Sequence, residues 1–542
     1  MHAARKSWFW IACAILQACS TPGFNERAAY LDFSDLADSL YHAGRYREAA
    51  MEYSRAVALR PELARSNDMY NAACSWALAG EVDSAFFQLQ QVVSTHGYAK
   101  SSHLQEDADL QSLHADARWA PLVEAVKHNR EKQAHISKAM WKEDVRQLRS
   151  MLDYWHINAY ASTPATVWDR EVNALLERMD QLDDDGIILE IQRILALAGD
   201  GHTSFYTTDQ DVVDFQYLPV VFSQFEEGLY VISASDSLAD LAGLRLVAIG
   251  DTPIEAVREK LIPYIPRDNN AEITYTYPDQ LQCVNLLHHL GITPTSEEAE
   301  LVFDAGGQPV RRTVRAMTGE QLDQVHWTAA RTSLNAIASS SHPTFLFSNP
   351  TTIPRLMSRP NYWSLVFEPE KVVFVEYLSC WDQEGGPSFS HFVDSAVFAT
   401  LDAHPDHRLV VDMRYNSGGE PRTAAPLFAG IEARPALFAK NPPTVLVGTR
   451  TFSAAATNVC QLKDRCQARL IGQLSRARPY SASEGRSFTL RNSGCEISIS
   501  TQFVQRLLGV MEPYIPLDEV VPMRFSDYIG DVDLTFETAL GR

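Results

Sequence analysis

A pattern near the N-terminus returns after 36 residues: "AGRYREAAMEYSRAVALRPE" comes back as "AGEVDSAFFQLQQVVSTHGY", with Gly44 matching Gly80 and Ala49 matching Ala85. Repetition at such a period constrains the fold more tightly than anything else in the chain, because a unit unable to bury its own apolar face must stack on a copy of itself. Glycine ahead of each apolar-periodic stretch turns the chain, and alanine where two helices cross lets them approach. Residues 30–135 therefore read as helical hairpins.

The hairpins resemble tetratricopeptide repeats, and "YNAACSWALAG" and "DADLQSLHADARWAPLV" resemble the closing segment of such arrays. Two readings stay open: a module that docks a protein partner, or helical filler. Residues 139–205 continue the helical spacing in "DVRQLRSMLDYW", "EVNALLERMDQL" and "ILEIQRILALAG", as a helical cap would.

Strand patterns begin with "YLPVVFSQFEEGLYVISAS", where aromatic and β-branched residues alternate. The following "LAGLRLVAIGDTPIEAV" resembles a PDZ-like domain, with Gly243, Ile249, Gly250 and Pro253 at matching places, and sets a domain at 206–320. In 321–542 apolar runs such as "KVVFVEYLSC", "RLVVDMRYNSGGE" and "PTVLVGTRTF" alternate with helical stretches, which implies a sheet covered on both faces. A chain of 542 residues has room for several such domains, so the expected class is multidomain α/β.

The first 19 residues read as an address. Arg5 and Lys6 precede the apolar run "WFWIACAIL", too short to span a membrane comfortably, and "LQACS" resembles a bacterial lipobox with Cys19 as the lipidated residue. A plain cleaved secretion signal is the alternative, and both place the mature chain outside the cytoplasm. Ser20 after the cysteine resembles lipoproteins sent to an outer membrane facing the periplasm. A net charge of −21 disfavours nucleic acid as a partner. Such a compartment permits disulfides; Cys460 and Cys466 could bridge or stay buried as free thiols, and no cysteine spacing fits a zinc site.

Two loops leave apolar strands where open sheets build their sites. In "DMRYNSGGE" the adjacent Gly418 and Gly419 can turn the backbone with amides exposed, although the same residues make an ordinary turn. In "GTRTFSAAATN" Ser453 opens a helix of small residues, either as a nucleophile beside free amides or as a plain N-cap. His202, in "LAGDGHTSFY", is either a base or a packed ring.

Together, "GDGHTSFY", "DMRYNSGGE" and "GTRTFSAAATN", with "IGQLS" and "GDVDLTFETAL" after them, resemble the tail-specific (C-terminal processing) peptidase family. The resemblance runs from about Ala139 to Leu540 and implies a crotonase-like (ClpP/crotonase) peptidase core. It implies Ser453 as nucleophile and Gly418 and Ala454 as oxyanion-hole amides. Arg478 stands where one branch of the family carries a lysine base, and a guanidinium cannot take a proton. His202 matches the histidine of the tricorn-like branch, and Glu512 best matches that branch's orienting carboxylate, with Glu496 or Asp518 as substitutes. Gly201 stands where tricorn protease has a serine. Asp200 reads as a turn residue, and His288 and His289 have no partner spacing.

The expectation is a lipid-anchored, envelope-facing serine peptidase cleaving peptides or unfolded chain ends, with no cofactor or metal. A non-catalytic peptide-binding or scaffold lipoprotein on the same fold is the alternative.

Overall fold

The structure is a computed structural model and describes residues 22–206, 214–325, 327–329, 360–530 and 532–542. The leader and Cys19 lie outside the described residues. The described residues form two compact units: one from 22–187, 203–206 and 484–501, the other from those within 188–202, 214–483 and 502–542.

The first unit is mainly helical. The two copies of the repeat are the hairpins α1 (Pro22–His42) with α2 (Tyr46–Leu59) and α3 (Ser66–Leu78) with α4 (Val82–His96). Gly44 and Gly80 occupy the matching turns with φ of 72° and 77°, a left-handed conformation that favours glycine. Ala49, Ala72 and Ala85 are fully buried, and Ala49 and Ala72 pack with Ala37 and Tyr53. Helix α5 (Lys138–Trp155) is capped by Ser137, whose hydroxyl accepts the Met140 amide. Its buried Trp141, Val145, Leu148, Leu152 and Trp155 recur at helical spacing and make one apolar stripe. A strand at Ser204–Tyr206 pairs antiparallel with 496–498, and Phe488 of the same hairpin packs 5.1 Å from the Trp155 ring.

Among the described residues the second unit holds two large sheets and a two-stranded one. The large antiparallel one is built from β1 (Val220–Phe225), β2 (Gly228–Ser235), β3 (Arg245–Ile249), β4 (Glu298–Ala305) and β5 (Gln308–Arg315). β2, β3, β4 and β5 lie in that order, and β1 pairs with β2.

The other large sheet has the order β6 (Tyr362–Phe367), β7 (Val372–Tyr377), β8 (Arg408–Asp412), β9 (Thr444–Val447), β10 (Arg469–Gly472), β11 (Glu519–Val520). β6 is antiparallel to β7, and the rest run parallel. Alternate residues fill two cores: Val373, Val375, Leu409, Val411, Val445 and Val447 on one face, Val372, Phe374, Val410, Leu446 and Ile471 on the other. Burial on both faces explains why these strands are apolar throughout. Helix α6 (Ser453–Cys466) packs into the first core through Ala455, Ala456, Val459 and Leu462. Among the described residues no helix is long and apolar enough to cross a membrane.

Candidate active site

The loops after β8 and β9 leave adjacent parallel strands, with Asp412 in register with Leu446. They are tied together: the Thr451 hydroxyl donates to the Met413 carbonyl at 2.8 Å, and the Phe452 amide donates to the Asn416 carbonyl at 3.1 Å. Gly448 has to be glycine, since a Cβ there would lie 2.7 Å from the Arg414 carbonyl oxygen.

Phe452 is extended (φ −146°), and Ser453 turns sharply with φ 49° to open α6. A serine held left-handed costs on the order of 1 kcal/mol, and it persists only where its surroundings over-determine it. The cap position is Phe452 and no side chain caps the helix, so the N-cap reading of Ser453 does not describe this turn. First-turn amides of an uncapped helix have no intrahelical acceptor, and Ala454 is one of them.

His202 reaches Ser453 from a loop 251 residues earlier: its Nε2 lies 3.1 Å from the serine Oγ. Three contacts place it. The Asp200 carboxylate accepts the His202 amide at 2.9 Å, the turn role expected of Asp200. The buried Asp268 carboxylate accepts the Gly201 amide at 2.8 Å. The ring stacks on Phe452, with centroids 4.5 Å apart, while Arg476 stands 4.3 Å from the centre of that same ring. Gly201 follows from this packing, because a Cβ there would lie 2.7 Å from Phe452 Cζ. A serine would not fit at this position without displacing the ring.

Burial of the imidazole, with the Arg506 charge next in effect, pulls the His202 pKa down to about 4 against the opposing pull of Asp200. The ring is thus neutral across the physiological range, where sequence alone places its titration near neutrality. Nε2 accepts from the serine when the proton sits on Nδ1, and Nδ1 is buried with no hydrogen-bond partner. Ser483 Oγ also lies within 3.4 Å of Nε2.

Gly418 and Gly419 have φ of 119° and 132°. A Cβ on Gly418 would stand 2.8 Å from Ser453 Cβ and 3.1 Å from the Ala454 nitrogen, so the loop meets the serine backbone to backbone. The Gly418 amide donates to Asn416 Oδ1 at 2.9 Å, and is therefore occupied rather than open. Beneath the loop the buried Arg414 guanidinium binds Asp412 (2.7 Å) and Asp533 (2.8 Å).

No family model matches the sequence, and no curated protein matches it. Solved structures do. Mature CPAF complexed with lactacystin superposes with a TM-score of 0.51 over 74% of this chain and 97% of that one, at 12% identity. Mature CPAF superposes with a TM-score of 0.50 over 74% and 96%, also at 12% identity. The chain shares the fold of CPAF.

Glu512 is not brought to His202: it is exposed, and its carboxylate accepts the amide of its own neighbour Met511 at 3.1 Å. Of the substitutes, Asp518 binds Lys463 and the Leu470 amide, and Glu496 binds Lys100. The Arg478 amide donates to Asp268 at 3.2 Å, and its carbonyl accepts from Arg506. His289 has the partner that its spacing hid, the buried Glu190 at 2.9 Å. Cys460 and Cys466 are free thiols on α6, their pKa values pushed up by burial to about 12 and about 11, which leaves them unreactive. Cys74, Asp107 and Asp109 offer ligand atoms within 4.8 Å of one another, but Tyr70 donates to Asp107 and Tyr41 to Asp109.

Sequence reasoning missed Phe452 as the platform for the imidazole, Asp268 as the anchor of its loop, and Arg506 as the charge beside it. Phe452 was visible next to the serine. Asp268, in "PRDNN", belongs to no periodic pattern.

Proposed function

We propose that the chain is a serine peptidase of the tail-specific family, acting on peptides or unfolded chain ends by acyl transfer. The observation that carries this reading is the 3.1 Å contact between His202 Nε2 and the hydroxyl of a serine held at positive φ. Neutral His202 takes the Ser453 proton as Oγ attacks the scissile carbonyl carbon, and returns it to the leaving amine as the C–N bond breaks. Water, deprotonated by the same nitrogen, then cleaves the acyl ester. Ala454 donates to the developing oxyanion, joined by Gly418 once its amide turns from Asn416. Glu512 keeps its role as orienting acid in this reading only if its segment moves to Nδ1. The sequence motifs support the remaining parts: lipidation at Cys19 in the envelope, a PDZ-like sheet, and tetratricopeptide-like hairpins for a protein partner.

The occupied Gly418 amide and the unpartnered Nδ1 favour a second reading, a peptide-binding protein without turnover. One experiment separates the two. Cleavage of an unstructured fluorogenic peptide should fall by about 10⁴-fold or more in Ser453→Ala and in His202→Ala, with Arg478→Ala far milder. A parent that binds the peptide and never cleaves it establishes the second reading, and an unimpaired His202→Ala removes the histidine from the mechanism.

A further inference from the structure

Beside the candidate catalytic residues the second unit has a half-open cavity of about 580 Å³, within the size range of small-ligand sites. Its wall includes Thr449 and Arg450 of the nucleophile's own loop, Tyr275, Phe222 and Asp527. Ser453 is not among the lining residues, yet Arg450 precedes it by three positions, so the two Cα atoms are at most about 11 Å apart.

Most charges on this wall are satisfied. Arg414 is held by Asp412 and Asp533, and Arg524 by Glu226. Arg450 is different: Nε and Nη1 are buried without a hydrogen-bond partner, and no ion pair involves it among the described residues. Buried N–H donors left unpaired are costly, and the planar fork of a guanidinium matches a carboxylate. Asp527 lines the same cavity with a buried Oδ2 that also lacks a partner. The two groups do not satisfy each other. They call for a ligand carrying an anionic oxygen pair for Arg450 and an N–H donor for Asp527, which a peptide segment bearing a carboxylate supplies.

We propose that this cavity binds a carboxylate of the peptide substrate, with Arg450 as the specificity-determining residue and Asp527 accepting an amide N–H of the same segment. The proposal rests on the peptidase reading for its use but not for its test. The carboxylate comes either from an acidic side chain or from the chain terminus, and one binding experiment distinguishes them.

The test uses the full chain as Ser453→Ala, so binding is read without turnover. Four fluorescein-labelled unstructured peptides are titrated by anisotropy: one with a single Glu and a free C-terminus, its Glu→Gln form, its C-terminal amide, and the form with both changes. The parent peptide should bind about tenfold or more tightly than the doubly neutral one. Loss on Glu→Gln assigns a side-chain carboxylate, and loss on amidation assigns the terminus. Adding Arg450→Met should bring the ratio between carboxylate and neutral peptides to about one, and Arg450→Lys should restore part of it. Equal binding of all four peptides to Ser453→Ala, no binding of any, or a ratio unchanged by Arg450→Met overturns the proposal. Failure of cleavage in the wild-type chain alongside a discriminating Ser453→Ala would instead remove the peptidase reading and leave this site standing.

Discussion

The loops after β8 and β9 leave neighbouring parallel strands at the same end of one sheet, yet they are held in opposite ways. The β9 loop ends on a left-handed serine at an uncapped helix start, where the Ala454 amide is one of the first-turn donors without an intrahelical acceptor. The β8 loop is bonded to itself and its base: Gly418 donates to Asn416, Asn416 donates to the Tyr377 carbonyl at 3.0 Å, and the Cys380 amide donates to the Gly418 carbonyl at 2.9 Å. One loop is poised and the other is closed. In the proposed mechanism, attack would need no rearrangement on the serine side, while full oxyanion stabilisation would require one peptide to turn on the other.

The hardest way to break that contrast is to fill the gap between the loops. Gly418→Ala puts a Cβ against Ser453 Cβ at 2.8 Å and a residue with a side chain at φ 119°, and both obstacles are backbone-linked. The value of kcat/KM should fall by about 10²–10³-fold. Gly201→Ala meets only the Phe452 ring, whose side chain can tilt, and should cost roughly tenfold or less, with the difference reporting how rigidly the imidazole must be stacked. A Gly418→Ala enzyme at near-parental rates would take this loop out of the reaction.

The closed loop also has a foundation that can be removed. Arg414→Met leaves the buried Asp412 and Asp533 carboxylates without their guanidinium, and urea unfolding should register a loss of about 3–5 kcal/mol. The variant that also carries Asp412→Asn and Asp533→Asn should recover part of it, because the cost lies in the stranded charges. If Arg414→Met unfolds at the parental midpoint, the ion cluster is not what braces the loop.

Elements with short-range periodicity were legible in the sequence. The helical hairpins announce themselves through a 36-residue repeat, and the two-faced sheet through near-continuous apolar runs such as "KVVFVEY" and "RLVVD". The serine and histidine could be paired only through motif resemblance, since 251 residues separate them and no local pattern says they meet. Contacts that depend on tertiary approach stayed hidden. Asp268 grips the Gly201 amide from a segment without periodic signal, the Gly418 amide turns inward to Asn416, and Glu512 carries the expected residue type at a position that the fold leaves in solvent. Residue type was readable at each of these positions, and burial and direction were not.

The smallest effect probes the open side of the comparison. With the imidazole drawn down to about 4, kcat/KM should climb through that pH and be nearly flat above about 5, well below the ~6.5 of an ordinary histidine. Arg506→Met removes a charge that opposes protonation, so the acid limb should move upward toward neutrality, and a readout of stability must move with it. Between pH 6.5 and about 4 the unfolded chain takes up a proton at this residue that the folded chain refuses, so this group's contribution to stability is complete above the unfolded value and is lost as pH falls. The urea midpoint of Ser453→Ala should therefore drop on acidification across that window, and more shallowly when Arg506→Met is added. A rate profile with its limb at 6.5 in the parent would mean that the ring is solvated when it works, and that the stacked arrangement on Phe452 opens before the serine is activated.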